Sequence, residues 1–320
     1  GDGHVVAEDH PEGGGWWADG ERVGLARKAP AAERYYATGE RTAGLDLRGQ
    51  ALTLWNTDAY DNALGGFAPD QDPLYLSVPF LMTLRDGRAA GFFTDNAHRQ
   101  SLDLAATHPD RLIFGVHGGA VVQYVVAGPT PADVMRRYTA LTGRAPLPPR
   151  WALGYHQCRW GYWPDDQLLE VAEELRSHAL PADTMWLDIQ HLDGFRTFTW
   201  DPTGFPDPLG MAGTLAGLGF HLTVIADPGI KVEPGWDVYA SGLTGGHFLR
   251  WSDGEPFVGN VWPGLSVFPD FTQAGARAWW ADLIGGLADL GVDGIWLDVN
   301  EPTVFPESGG GQTIDGEVVA

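Results

Sequence analysis

The second half of the sequence alternates short, almost wholly apolar runs with segments of helical periodicity. The apolar runs occupy residues 151–156, 184–189, 220–227 and 294–298. Between them lie helical patterns around 168–175, 209–218 and 279–287. Strands that are apolar on both faces must be covered on both faces, as they are in a parallel sheet with helical crossovers. The pattern therefore predicts four successive βα units of a parallel α/β fold from residue 151 onwards.

The first 127 residues carry a different pattern, which is typical of antiparallel strands. Apolar or alternating runs lie at 74–78, 80–84, 89–93, 112–116 and 120–126. Asp86-Gly87 and Gly118-Gly119 stand between such runs and are typical of tight hairpin turns. We therefore expect hairpins assembled into a β-sandwich. The Gly-rich, acidic opening up to residue 28 is interpreted as a loop or as the remnant of a longer domain.

Two proline-rich segments separate these patterns. Residues 128–131 read Gly-Pro-Thr-Pro and lead into a short helical pattern, and residues 146–149 read Pro-Leu-Pro-Pro. Proline ends a helix because it lacks an N–H donor and restricts the residue before it. We therefore predict two domains, residues 1–145 and residues 146–320.

Charge and composition limit the classes of partner. The formal net charge of −22 opposes binding to nucleic acid or to an anionic membrane surface. No apolar run approaches the roughly 20 residues that a membrane span requires. The single cysteine, Cys158, excludes an intramolecular disulfide. We expect a neutral substrate and a cytoplasmic location, since no signal peptide is visible. A homo-oligomer is compatible with these features.

Three of the four predicted strands end in an aspartate: Asp188, Asp227 and Asp298. One such residue alone would most often cap the next turn or helix. In a (β/α)₈ barrel, however, the carboxyl ends of the strands surround one mouth, where the catalytic side chains lie. Three aspartates in successive units would therefore converge on a single site, which favours a functional interpretation of the set.

Carboxylates at a neutral, aromatic-lined mouth suit the hydrolysis of glycosides. One carboxylate attacks or stabilises an oxocarbenium-like centre, and a second delivers a proton. Metal binding by clustered carboxylates is the alternative. The strand ends lack the spaced histidines of a transition-metal site, although His156 and His191 lie near the predicted mouth. We therefore predict no metal and no cofactor.

Several ordered blocks resemble glycoside hydrolase family 31, the α-glucosidase family. Residues 296–302, Trp-Leu-Asp-Val-Asn-Glu-Pro, resemble its nucleophile signature. The other matching blocks lie at 34–40, 55–58, 154–162, 186–189, 227–231, 261–264 and 268–272. The resemblance covers nearly the whole chain beyond residue 30. It implies a galactose-mutarotase-like β-sandwich, incomplete at its start, followed by the first half of a (β/α)₈ TIM-type barrel.

The resemblance also implies roles for individual residues. Asp298 would be the nucleophile of a retaining, exo-acting α-glucosidase, and Asp188 would hold hydroxyls of the sugar. Core packing is the alternative for each tryptophan, and an ordinary turn is the alternative for Asp58. The full predicted set comprises the substrate-binding residues Asp188, Ile189, Trp262, Trp296, Trp160 and Asp58, and the supporting residues Asp227, Glu301 and Arg196. Arg159 and Arg196 are expected to pair with carboxylates of the barrel.

Two departures from the family pattern bear on activity, namely Gln190 and the position of the acid/base. Gln190 stands where many relatives have a second aspartate. Trp296 stands where the family's α-xylosidases have a lysine, which favours glucose over xylose, while transglycosylation remains an alternative. The family's acid/base is an aspartate on a later strand, so we expect it, and a longer parent protein, beyond Ala320. As written, the polypeptide is expected to be inactive, either as a fragment or as a carbohydrate-binding module.

Overall fold

The computed structural model describes residues 5–11, 15–57, 59–60, 66–300, 302–305 and 312–313. The chain divides into two compact units, Gly1–Pro146 and Leu147–Ala320, because residues make most of their contacts within their own unit. The strands described in the first unit are β1 (Trp16–Asp19), β2 (Arg22–Lys28), β3 (Arg34–Gly39), β4 (Ala51–Leu54), β5 (Ser77–Arg85), β6 (Arg88–Thr94), β7 (Gln100–Leu104), β8 (Arg111–Val116) and β9 (Gln123–Ala127), followed by helix α1 (Pro131–Thr142).

The strands of the first unit form two antiparallel sheets, ordered β1-β2-β8-β7-β4 and β3-β5-β6-β9. Because side chains alternate along each strand, each sheet turns one apolar face inward. The shared core contains Leu81 and Phe92 from one sheet and Leu102, Leu104 and Phe114 from the other, all buried. This packing makes the unit the β-sandwich that the sequence predicts.

Helix α1 covers the outer face of the second sheet. Its buried Val134 packs with Phe80, Ala89 and Val126 of that face. The helix begins at a capping box, in which Thr130 accepts from the N–H of Asp133 and the Asp133 carboxylate accepts from the Thr130 N–H. The second sheet therefore has buried apolar side chains on both faces.

The structure corrects three local predictions in this unit. The runs at 112–116 and 120–126 do not form a hairpin, because β8 pairs with β2 and β7 while β9 pairs with β6 of the other sheet. The opening stretch is not only loop, since β1 and β2 form a hairpin. The runs at 74–78 and 80–84 give one strand, β5; its internal Pro79 faces the irregularity between Ala37 and Gly39 of β3, where a missing donor is tolerated.

The second unit is built around a parallel sheet. Its described elements are β10 (His156–Gln157), α2 (Asp165–Ser177), β11 (Thr184–Leu187), α3 (Pro208–Gly217), β12 (His221–Ile225), β13 (Ile230–Lys231), α4 (Asp237–Gly245), β14 (Val258–Val261), β15 (Gly264–Val267), α5 (Ala274–Ala288), β16 (Gly294–Trp296), β17 (Thr303–Val304) and β18 (Gln312–Thr313). Strands β10, β11, β12 and β16 are parallel neighbours in that order.

The two faces of this sheet have different roles. Met185, Leu187, Leu222 and Val224 alternate toward the helices and form the main core with residues of α2, α3 and α5. The intervening side chains, among them Trp186, Ile225 and Trp296, lie on the opposite face. Four parallel strands with helices between them agree with the βα units that the sequence predicts.

One prediction for this unit needs correction. The first strand is not 151–156, because Arg150–Leu153 is a 3₁₀ turn and the strand is limited to His156–Gln157. The Trp151 ring stacks on His221, with 4.3 Å between ring centroids, so this apolar residue packs through its ring and not through strand pairing. The Gly- and Pro-rich segment between β12 and α5, for which no element was predicted, contains α4 and the antiparallel sheet β13-β15-β14.

Within the described ranges, no helix combines the length and the apolar character needed to cross a lipid bilayer.

Candidate active site

Three aspartates follow neighbouring strands at the same edge of the parallel sheet. Asp188 comes directly after β11, and Asp227 and Asp298 each come two residues after the paired residues Ile225 and Trp296. Each aspartate stands two positions beyond a side chain of the face that carries Trp186, Ile225 and Trp296. Since side chains alternate along strands, this spacing directs the three carboxylates to one side. Asp227 lies on the middle strand of the three.

The Asp227 carboxyl group is buried between its neighbours. Its residue is 9% exposed, and Oδ1 has no hydrogen-bond partner among the described residues. Burial, followed by the charges of Asp298 and Asp188, raises the pKa of Asp227 to about 7. A carboxyl group in this setting carries a proton for much of the time near neutral pH. The three groups therefore interact electrostatically, as members of one site do.

Backbone donors orient the other two carboxylates. The Ile189 N–H donates to Oδ1 of Asp188 over 2.7 Å, and the Val299 N–H donates to Oδ1 of Asp298 over 3.0 Å. Burial and, to a smaller extent, the charge of Asp298 raise the pKa of Asp188, against the lowering effect of that backbone bond. Asp298 is exposed, and Val299 after it has a φ of +50°, unusual for a β-branched residue.

Apolar residues form the floor of the site on the face below the carboxylates. Ile189, Leu192 and Ile225 are buried, and Trp296 packs against them. Trp186 lies next to Trp296, with 5.7 Å between ring centroids. Two residues of the predicted set, Ile189 and Trp296, are thereby brought together with the predicted carboxylates.

A second aromatic group, which we call the rim, combines three exposed rings with the half-buried Phe305. It consists of Trp160, Phe195, Trp262 and Phe305. Trp262 is its centre, with ring centroids 5.2 Å from Trp160, 5.1 Å from Phe305 and 6.4 Å from Phe195. Trp160 is 59% exposed and Trp262 is 40% exposed. Both rings therefore present much of their surface outside the cores of the described residues.

Four connections of the sheet contribute the rim. Trp160 follows β10, Phe195 follows β11, Trp262 lies between β14 and β15, and Phe305 follows the nucleophile block. The Phe305 N–H donates to the Asn260 carbonyl over 2.7 Å, which ties the last of these segments to β14. Cys158 stands two residues before Trp160. Burial raises the pKa of its thiol, and the charge of nearby Asp188 raises that pKa further. Cys158 therefore connects the segment that carries Trp160 to the surroundings of Asp188.

The two predicted arginines differ in their partners. Arg196 pairs with Asp193 and, over 3.2 Å, with Glu233. Arg159 instead lies over the Tyr162 ring, 5.5 Å from its centroid, and has no ion pair within the described part of the chain. Arg196 therefore pairs with carboxylates, as expected, whereas Arg159 forms no such pair within the described residues.

The two histidines near the mouth are engaged in the fold. His156 Nδ1 accepts from the Trp186 indole N–H over 3.1 Å, and its Nε2 lies 3.3 Å from the Trp151 carbonyl. His191 is buried with its Nδ1 2.8 Å from the Asp188 carbonyl oxygen, and burial lowers its pKa to about 4. Among the residues the structure describes, no three His, Cys, Asp or Glu side chains form a group that could hold a metal ion.

The set of predicted site residues and the set found in the structure do not fully overlap. The predicted residues Asp58 and Glu301 lie outside the described residues. Conversely, sequence reasoning did not single out Phe195, Phe305 or the position of Cys158 beside Asp188. Phe305 follows the nucleophile signature closely and could have been found from that spacing. Phe195 is a lone phenylalanine in a loop, and no sequence signal marks it.

The comparisons with known proteins agree with this architecture. The TIM-barrel domain of glycosyl hydrolases family 31 matches residues 145–317, and the family's N-terminal galactose mutarotase-like domain matches residues 1–103. These two matches, in the same order as the β-sandwich and the parallel α/β unit, place the chain among the glycoside hydrolases. The chain belongs to glycosyl hydrolase family 31.

Its relatives include α-glucosidases. The chain is 42% identical over 288 residues to Alpha-glucosidase 2 of Bacillus thermoamyloliquefaciens, covering 90% of this chain and 36% of that protein. It is 36% identical over 286 residues to the Alpha-glucosidase of Saccharolobus solfataricus, covering 89% and 40%. A glucose complex of a Flavobacterium johnsoniae family 31 dextranase superposes with a TM-score of 0.85 at 29% identity, covering 93% of this chain and 36% of that one. The chain thus spans little more than a third of the length of these relatives.

Proposed function

We propose that this chain carries the nucleophile and the sugar-binding floor of a retaining, exo-acting α-glucosidase. The observation that carries the proposal is the position of three aspartates at one edge of the parallel sheet, just beyond β11, β12 and β16. Burial and, to a smaller extent, the charge of Asp298 raise the pKa values of Asp188 and Asp227 there. Such coupled, perturbed groups beside an apolar floor are typical of catalytic sites. The names of the α-glucosidase relatives support the reaction class.

In the proposed reaction, a carboxylate oxygen of Asp298 attacks the anomeric carbon of the terminal α-glucosyl residue. The bond from that carbon to the leaving oxygen breaks as the new C–O bond forms, and a general acid protonates the leaving oxygen. Water then hydrolyses the glycosyl-enzyme, and its proton returns to the same acid/base group. The family resemblance assigns that group to a later barrel strand, in the part of the relatives' length that this chain does not cover.

The floor and the neighbouring carboxylates hold the sugar for this attack. Asp188 accepts hydrogen bonds from sugar hydroxyls, which a carboxylate can do with two oxygens. Ile189 and Trp296 contact the apolar faces of the ring, and Trp160 and Trp262 form the wall above it. The proposal also retains Asp58 as a substrate-binding residue and Asp227, Glu301 and Arg196 as supporting residues.

The proposed substrate is a neutral oligosaccharide with a terminal α-glucosyl residue. Trp296 stands two positions before Asp298, where the resembling α-xylosidases carry a lysine, and this residue favours glucose. An α-xylosidase or a transglycosylase is the alternative, the latter because a sugar hydroxyl can replace water in the second step. Turnover of α-xylosides above α-glucosides would select the first alternative, and oligosaccharide products longer than the substrate would select the second.

Substitution of the nucleophile tests the proposal on the protein expressed from its full reading frame. We expect Asp298→Asn to lower turnover of p-nitrophenyl α-glucoside by at least about 10⁴-fold, because an amide cannot form the glycosyl-enzyme. The melting temperature should stay within a few degrees, since the Asp298 side chain is exposed. Asp282→Asn on the exposed surface of α5 is the matched control and should retain activity. Wild-type rates in Asp298→Asn would refute the nucleophile assignment.

We further infer that the 320 residues expressed by themselves lack meaningful hydrolase activity. The supporting facts are the coverage of little more than a third of the relatives and a described sheet of four parallel strands, whose edge strands β10 and β16 need partners for a barrel to close. Such a polypeptide would at most bind carbohydrate. Robust turnover of p-nitrophenyl α-glucoside by the purified 320-residue chain, abolished by Asp298→Asn, would contradict this inference.

A further inference from the structure

We propose that Phe195 determines the preference for the leaving group, by forming with Trp262 an apolar wall for the sugar ring next to the scissile bond. The site would therefore favour an oligosaccharide over a glucoside with a small leaving group. The proposal rests on the proposed function of the same site and assigns a role to a residue outside the family signature blocks.

The position of Phe195 separates it from the floor that holds the terminal sugar. The floor residues Ile189 and Ile225 are almost completely buried, whereas Phe195 is 38% exposed and contacts the exposed Trp262. A terminal sugar in contact with the carboxylates occupies the floor. The next sugar of the chain then lies at the level of the rim, where Phe195 and Trp262 present their rings.

The backbone at Phe195 is held in a conformation that a bulky residue rarely adopts. Gly194 and Phe195 have φ values of +57° and +62°, in the left-handed region. The loop is fixed on both sides: the Asp193 N–H donates to Thr199 Oγ1 over 3.0 Å, and Arg196 Nε donates to the Asp193 carbonyl over 3.1 Å. Arg196 is in turn paired with Glu233, so the strained turn is held from several directions.

Core packing does not account for this strain. Phe198, three residues later, has a similar φ of +64°, but its half-buried ring packs against Trp280, 4.9 Å between centroids, as part of a core. The Phe195 ring has no comparable burial. A strained backbone that is kept without a gain in core packing points to a role in binding.

The chemistry of the wall fits a neutral ring. Phe195 and Trp262 offer apolar surfaces of the kind that pack on the C–H faces of sugars. The nearest charged side chain along the loop, Arg196, is already paired with Asp193 and Glu233. The wall therefore selects for apolar area in the leaving group and not for charge.

The test compares two substrates that share the α-glucosyl group: maltotriose, which has a leaving-group sugar, and α-glucosyl fluoride, which has none. On the full-length enzyme, we expect Phe195→Ala to lower kcat/KM for maltotriose about 5- to 10-fold more than for the fluoride, mainly through KM. Phe271→Ala is the matched control, because Phe271 is 37% exposed but packs on Trp280, away from the rim. This control should leave the ratio of the two kcat/KM values unchanged.

Two further measurements keep the outcome decisive. Phe195→Gly also lacks the ring but relieves the left-handed strain, so it should lose the same discrimination while melting above Phe195→Ala. Equal losses on both substrates, or an unchanged ratio, would overturn the proposal. Calorimetric titration of the Asp298→Asn protein with maltotriose separates the proposal for Phe195 from the proposed function. Weaker maltotriose binding after a further Phe195→Ala substitution supports the apolar wall. If the wild-type enzyme hydrolyses neither substrate, that result refutes the proposed function but not the wall.

Discussion

Asp227 shows how one residue can serve the site at a cost to the fold. Its carboxyl group is buried beyond the middle strand of three, between the charges of Asp188 and Asp298. One of its oxygens has no hydrogen-bond partner among the residues that the structure describes. Ionising all three groups together would place like charges side by side in a poorly solvated place. A proton on Asp227 relieves this repulsion, so we interpret Asp227 as the group that adjusts the charge around Asp298 and Asp188.

This interpretation predicts a specific pH dependence of stability. An ordinary Asp pKa in the unfolded chain lies near 3.9, and the folded value is about 7. Between these values the folded protein binds more protons than the unfolded chain, so the free energy of unfolding falls as pH rises from about 4 to about 7. The cost, fully present above pH 7, is on the order of 4 kcal/mol.

Asp227→Asn removes this titration while keeping the shape of the side chain. We expect the variant to be more stable than the wild type by a few kcal/mol near pH 8 and nearly equal to it near pH 4.5. Urea unfolding at a series of pH values measures the difference, with Asp282→Asn as the exposed control. Parallel stability curves for Asp227→Asn and the wild type would show that Asp227 is not protonated in the folded protein.

Residues that end strands could be predicted from the sequence, and residues of loops could not. Asp188, Asp227 and Asp298 each follow an apolar run, so the run itself specifies the edge at which the carboxylate emerges. Phe195 depends on a left-handed turn fixed by Asp193, Arg196 and Glu233, the last of which is 37 positions beyond Arg196. Contacts that distant leave no periodic trace in a single sequence.

At the level of elements, predictions succeeded where burial alone decides the structure. Strands β11 and β12 are mostly buried and β16 is half-buried, and each starts within one residue of the predicted run. Predictions failed where an apolar residue is used differently. Trp151 belongs to a 3₁₀ turn, and its ring packs flat on His221. The run at 151–156 is therefore apolar like a strand, but residues 151–155 do not pair in the sheet.

The pairing of strands was predicted less well than their existence. Gly118-Gly119 is a good hairpin dipeptide, yet β8 and β9 belong to different sheets. Local turn chemistry specifies that the chain reverses, but the partner of each strand is chosen by which apolar face it buries. β8 contributes Leu112 and Phe114 to the sandwich core, while β9 contributes Val126 to the cluster beneath α1.

On the scale of the whole molecule, the main feature is a large excess of acidic over basic side chains. The chain has 42 acidic and 20 basic side chains, and the site adds coupled carboxylates to this excess. A net charge of −22 is compatible with the proposed neutral substrate, because a neutral substrate needs no steering by charge, whereas anionic polymers are repelled. The same excess destabilises the compact state through self-repulsion, which is strongest at low ionic strength.

Stability should therefore rise with salt. Between about 0.01 M and about 0.15 M salt the Debye length falls from about 30 Å to about 8 Å, which screens repulsion across the surface while leaving the apolar cores unchanged. A gain on the order of 1 kcal/mol would raise the melting temperature by about 2–4 °C for units of this size. Scanning calorimetry in sodium chloride and in choline chloride measures the effect, and equal rises would identify screening. A rise in sodium chloride alone would indicate a bound cation, and a flat or falling melting temperature would show that the acidic excess does not limit the stability of the fold.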